Sequence, residues 1–131
     1  MAEKLLHSTI TAKILQSFFA VNKAFRFRLP LDFYRNALAI EFEKNNLKVL
    51  RNYSLEIKYQ SIKIGDLHTD FLINDKVLVW IVNTENISKE LEEEAKLRLR
   101  YSVYEVCLIL SSVGETDYKR IVFTNNYKKN K

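Results

Sequence analysis

Residues 61–82 read SIKIGDLHTDFLINDKVLVWIV. Two strand-like runs, SIKIGDLHTDFLI and KVLVWIV, flank Asn74-Asp75, residue types that accept the positive backbone angles of a two-residue hairpin turn. The first run mixes polar with apolar residues. The second is almost continuously apolar, the pattern of a strand covered on both faces. A sheet covered on both faces needs helices on either side, so this hairpin sets the expectation of an α/β domain.

Upstream, the stretch from Lys48 to Tyr59 places Val49, Tyr53, Leu55, Ile57 and Tyr59 against Asn52, Ser54, Glu56 and Lys58, the period of a half-buried strand. Two helical patterns precede it. From Lys4 to about Ala24, Leu6, Ile10, Ile14, Leu15, Phe18, Phe19 and Val21 recur mostly three or four residues apart, making one helical face. Pro30 then disfavours helical geometry at Leu29, and a second pattern runs from Phe33 through Ala37, Leu38 and Ile40 to Leu47. Asp32 is its candidate cap, and Asn45-Asn46 its expected end.

Downstream, Ser88 opens KELEEEAKLRLRYS, with acids in the first turns and Lys96, Arg98 and Arg100 in the last, matching the helix dipole at both ends. Leu91, Ala95, Leu99 and Ser102 are its expected inner face. VYEVCLILSS and YKRIVFTN read as two more strands. The expected order is ααβββαββ, a mixed central sheet of about five strands flanked by helices.

A chain of 131 residues, 47% of them hydrophobic, is sized for one domain, expected over residues 1–124, with a basic tail over 125–131. A single proline and two glycines leave no long linker. One cysteine excludes a disulfide framework and a cysteine-ligated metal cluster. Cys107, within VCLIL, is read as a small buried hydrophobe. No apolar run has signal-peptide or transmembrane length, so a cytoplasmic, non-membrane protein is expected. The net charge is +5, with Lys119, Arg120, Lys128, Lys129 and Lys131 crowded at the C-terminal end. That run is read as a solubilising terminus that would also attract acidic partners, less so at high salt. His7 and His68 are too far apart to suggest a metal pair, and no glycine loop exists to cradle a nucleotide.

Taken in order, ALAIEFEKNNLKV (37–49), IKIGDLHTDFLINDKVLV (62–79), EAKL (94–97) and KRIV (119–122) resemble the GxxExxY family of the PD-(D/E)XK nuclease superfamily. The likeness runs from Ile14 to Val122 and implies a restriction-endonuclease-like core. In that family, a glycine, a glutamate and a tyrosine surround the start of the second helix. Registering on ALAIE puts Arg28 at the glycine, Leu31 at the glutamate and Tyr34 at the tyrosine. Asp32 lies one residue from the glutamate position. The family's strand aspartate is matched by Asp70, whereas its Glu-x-Lys triplet falls on Trp80-Ile81-Val82 and a glutamine of the third helix on Lys96.

Phosphodiester cleavage in the superfamily uses a divalent ion held by carboxylates, with a lysine beside it. The triplet works because alternate strand positions share a face. With Leu31, Trp80, Val82 and Lys96 at vestigial positions, Asp70 and Tyr34 are what remains, Asp70 being the one carboxylate, and the expectation is an inactive nuclease fold with no catalytic or metal-binding residue and no cofactor. Glu41, Glu56 and Glu85, together with Asp32, are the carboxylates that would have to migrate to rebuild a metal site. Asp70 is otherwise expected to bond a backbone amide or a basic neighbour such as Lys96.

Three functions follow from this reading. The first is a structural or binding subunit holding a protein partner or another copy, with Phe25, Phe27, Tyr101, Tyr104 and Tyr127 as candidate anchors and Trp80 open in the former groove. The second is a non-catalytic nucleic-acid module using Arg26, Arg28, Trp80, Lys96, Arg98, Arg100 and the tail. The third is a divergent nuclease with migrated ligands.

Overall fold

Asn74 and Asp75 both take positive φ, 54° and 57°, and Lys76 donates its backbone N–H to Ile73 at 2.9 Å, closing the hairpin where the sequence places it. The computed structural model describes residues 6–25, 29–113 and 117–128. Its elements are α1 (Ser8–Ala24), α2 (Leu31–Lys44), β1 (Val49–Tyr59), β2 (Ile62–Ile73), β3 (Val77–Val82), α3 (Lys89–Arg100), β4 (Val106–Ser111) and β5 (Tyr118–Val122), followed by a 3₁₀ turn, Asn125–Lys128. The strands form one sheet in the order β1-β2-β3-β4-β5. Among the described residues only the β3–β4 pair is parallel, and α3 makes the crossover it requires.

The apolar run of β3 takes the middle of the sheet. Val77, Val79 and Ile81 face α1 and α2 with Ile14, Phe18, Leu38, Phe42 and Phe71. Leu78 and Val82 face α3 with Leu72, Ala95, Leu99 and Ile109. Helix α2 starts one residue before the expected cap: Pro30 takes the cap position at φ −52°, and Asp32 sits in the first turn. The proline ring fixes an angle suited to entering a helix, and an acid within the first turn still meets the helix dipole. Asn45 caps the other end and Asn46 turns away at φ 63°, as the sequence suggests. Ser88 caps α3, its Oγ accepting the Leu91 N–H at 3.2 Å.

Two departures shape the site. Arg51 reaches α2 through Asn36 at 2.7 Å, yet Tyr53, two residues on, lies on the α3 side with its hydroxyl 3.0 Å from that of Tyr104. Alternate strand residues normally share a face. Asn52 between them has φ 54°, and this left-handed residue reverses the alternation. Secondly, β2 pairs with β1 along its length but with β3 only from Phe71 to Ile73, so the two strands part at Asp70.

The segment expected as a tail begins with ordered structure. Lys128 is 3% exposed, its ammonium donating to the carbonyls of Ser102 and Tyr104. The Asn125 N–H bonds Glu105 at 2.7 Å. Residues 125–128 therefore dock on the domain, because the carbonyls past the end of α3 accept a cation. Lys129 and Lys131 lie outside the described residues.

Candidate functional site

Where β2 leaves β3, the ladder loses its backbone partners and side chains take their place. The Asp70 carboxylate, on a residue 2% exposed, accepts the Ile81 backbone N–H at 2.6 Å through Oδ2. It thereby does the work of the carbonyl that a continued ladder would supply. Its other oxygen, Oδ1, accepts Arg35 Nε at 2.6 Å. Arg35 projects from α2 and also pairs with Asp32 through Nη1 at 3.1 Å. One guanidinium thus bridges a buried carboxylate and an exposed one.

On the α3 side of the same wedge stands Arg98, 7% exposed although it carries a full charge. Its Nε donates to the His68 carbonyl at 2.8 Å, a β2 group left free by the divergence. Nη1 donates to the Glu94 carbonyl at 2.9 Å and to Glu94 Oε1 at 3.3 Å. The guanidinium carbon lies 4.1 Å from the centre of the Trp80 ring. A cation over an indole face is worth about 0.5–2 kcal/mol, rising as water is excluded.

Trp80 is the one half-exposed residue of β3. It opens onto a groove of about 940 Å³ whose other lining includes Leu91 and Leu97, with Glu90, Glu93 and Glu94 along α3. The floor is apolar and the α3 rim acidic.

A divalent ion with hard oxygen ligands needs carboxylates with free lone pairs turned to a common point. The residues here do not fit one. The cation between Asp32 and Asp70 is Arg35 itself, and the second Asp70 oxygen is taken by Ile81. Among the described residues no three of His, Cys, Asp and Glu come together in a way that could hold a metal. Glu41 pairs with Lys44 at 3.5 Å, Glu56 with Lys58 at 3.6 Å, and Glu85 is exposed after β3.

A family model described as the PD-(D/E)XK nuclease superfamily matches residues 8–121. The chain belongs to that superfamily. Comparison with curated proteins finds no match, and neither does comparison with solved structures. The mixed five-stranded sheet with helices on both faces is consistent with the restriction-endonuclease-like fold of PD-(D/E)XK proteins.

The positions singled out from the PD-(D/E)XK resemblance do not form one cluster. Leu31 packs on the α1–α2 core, Val82 is buried against α3, and Lys96 is exposed. Trp80 and Val82 look toward α3 while Asp70 is held by a residue of α2. The basic partner of Asp70 is Arg35, not Lys96. Tyr34 is a structural link: buried between α1 and α2, it donates to Asn22 Oδ1 at 2.8 Å, and burial pushes its hydroxyl pKa well up.

The expected basic surface is also redrawn. Arg98 is internal, because residues 96 and 100 lie one helical turn apart on one face and residue 98 faces the other way. Lys96 and Arg100 are exposed, with Arg100 over Phe123 at 5.2 Å. Arg26 and Arg28 lie outside the described residues, as does Phe27. Of the aromatic anchors, Phe25, Tyr101 and Tyr127 are exposed, at 46%, 46% and 68%, while Tyr104 is tied to Tyr53.

Sequence reasoning missed Arg35 and assigned Arg98 to the surface. Both leave a trace. Asp32-x-x-Arg35 is an i,i+3 pair in a first helical turn, and Arg98 falls seven residues after Leu91, hence on the inward stripe.

Proposed function

We propose that this chain is a GxxExxY-type member of the superfamily that has lost cleavage chemistry and serves as a protein-binding subunit of a larger assembly. The observation that carries this reading is the state of Asp70: one oxygen is held by Arg35 and the other by the Ile81 N–H, both at 2.6 Å. A carboxylate so engaged has an organic cation where the chemistry would need a metal ion. The strand positions that the resemblance gives to glutamate and lysine hold Trp80 and Val82, which supply neither a ligand nor a proton.

The binding half of the proposal draws on Trp80. An indole half-open above a groove, with Leu97 37% exposed beside it, is the kind of anchor that protein interfaces use. Nucleic acid is the weaker candidate at this groove, because Glu90, Glu93 and Glu94 would repel phosphates.

Incubation with single- and double-stranded DNA and RNA in magnesium or manganese tests the first half. The expected result is no cleavage above a no-protein control. Metal-dependent cleavage that disappears in Asp70→Ala would overturn it. For the second half, the chain purified from its native source at moderate salt is expected to elute as a complex with another protein. A partnerless monomer there would overturn the subunit reading.

A further inference from the structure

The groove over Trp80 carries an acidic rim on a chain that is basic as a whole. The whole sequence carries a net charge of +5, but the α3 rim of this groove presents Glu90, Glu93 and Glu94. Glu94 is shared with Arg98, which is itself spent on the His68 carbonyl and on the Trp80 ring. Among the described residues, neither Glu90 nor Glu93 has an ion-pair partner, while their neighbour Glu92 pairs with Lys119 at 3.5 Å.

On a helix, residues 90, 93, 94 and 97 fall on one stripe, so two uncommitted carboxylates and an exposed leucine run in line along the groove. Leu91 and Trp80 line the same groove. Acids in the first turn of α3 are accounted for by the helix dipole. That account does not explain why Leu97 is exposed and Trp80 only partly covered beside them.

We propose that the groove receives a basic peptide segment of a partner protein, with an apolar side chain set against Trp80 and Leu97 and lysine or arginine side chains set against Glu90 and Glu93. This rests on the protein-binding reading above and deepens it. The charge complementarity selects the occupant: a cationic, partly apolar strand or turn fits, whereas an acidic peptide or a phosphodiester chain meets like charge on the rim.

Trp80 is the only tryptophan, so its fluorescence reports directly on the groove. The probe is a ten-residue peptide alternating lysine and leucine, titrated into the full chain at moderate salt. Three controls accompany it: the same peptide with serine for leucine, the same with glutamate for lysine, and a single-stranded oligonucleotide. The expected result is a saturable shift of Trp80 emission with the lysine–leucine peptide alone. Its affinity should fall about tenfold in the double variant Glu90→Gln/Glu93→Gln and by a similar factor in Leu97→Ser. These are surface substitutions, and circular dichroism confirms that each variant is folded.

No emission shift, an equal response to the glutamate peptide or the oligonucleotide, or affinity unchanged in both variants would overturn the inference. Such a result leaves the protein-binding reading standing if a copurified partner is retained by Glu90→Gln/Glu93→Gln. Cleavage of nucleic acid by the wild-type chain would instead strike the loss-of-chemistry reading, whatever the peptide does.

Discussion

A carboxylate buried to 2% exposure is costly unless a cation and hydrogen-bond donors accompany it, and Asp70 has both. Arg35 is therefore as much a part of this feature as Asp70. Removing the arginine alone leaves a buried acid without its counter-charge, and Arg35→Ala is expected to lose about 3–5 kcal/mol of stability in urea unfolding. Asp70→Asn keeps an acceptor for the Ile81 N–H and leaves Arg35 its second partner, Asp32, so a smaller loss of about 1–3 kcal/mol is expected. The reverse ranking would mean that Asp70 is held for some reason other than this pair. Asp70 could be picked out from sequence because the resemblance marks it, but Arg35 could not. Its role depends on α2 crossing the point where two strands diverge, a three-dimensional coincidence that an i,i+3 spacing only hints at.

Among the elements, those whose ends are written in local chemistry were legible: the Ser88 cap, the Asn74-Asp75 turn, the Asn45-Asn46 stop, and the doubly covered β3. The reversal of faces in β1 was not. Its trace is the break in alternation at Arg51 and Asn52, which reads equally well as an ordinary polar pair on a solvent face. Asn52 tolerates φ 54° because its short amide side chain crowds the backbone little, whereas a β-branched residue there is strained. Asn52→Val is expected to cost about 1–2 kcal/mol, and Asn52→Gly to be close to neutral because glycine enters that region freely. A Val substitution as mild as the Gly one would indicate that the reversal is not imposed by this residue. Ser88→Ala should remove about 1 kcal/mol through the lost bond to Leu91, and thermal unfolding reads it directly.

At the scale of the molecule, two cores share one sheet, and β4 is buried along its whole length between them. Cys107 sits there at 0% exposure, and burial in apolar surroundings pushes its thiol up to about 12. The Arg98 charge opposes that rise and Asp70 adds to it, both secondary to burial. The thiol should be inert to a thiol-reactive disulfide in the native state and react only on unfolding. Its effect on stability has a definite sign. Above about pH 9 the unfolded chain releases the cysteine proton while the native state keeps it, so the native state binds more protons and stability falls as pH rises. The loss approaches about 1.4 kcal/mol per pH unit until the native thiol itself ionises near 12. The Tyr34 and Tyr104 hydroxyls, both raised by burial, add to the decline once pH passes 10. Urea midpoints measured from pH 8 to 10.5 should therefore drop steadily. Cys107→Ala should start from a lower midpoint but lose the part of the slope that begins near pH 9. An unchanged slope between pH 9 and 10 in that variant would show that the thiol is not the source of the alkaline loss.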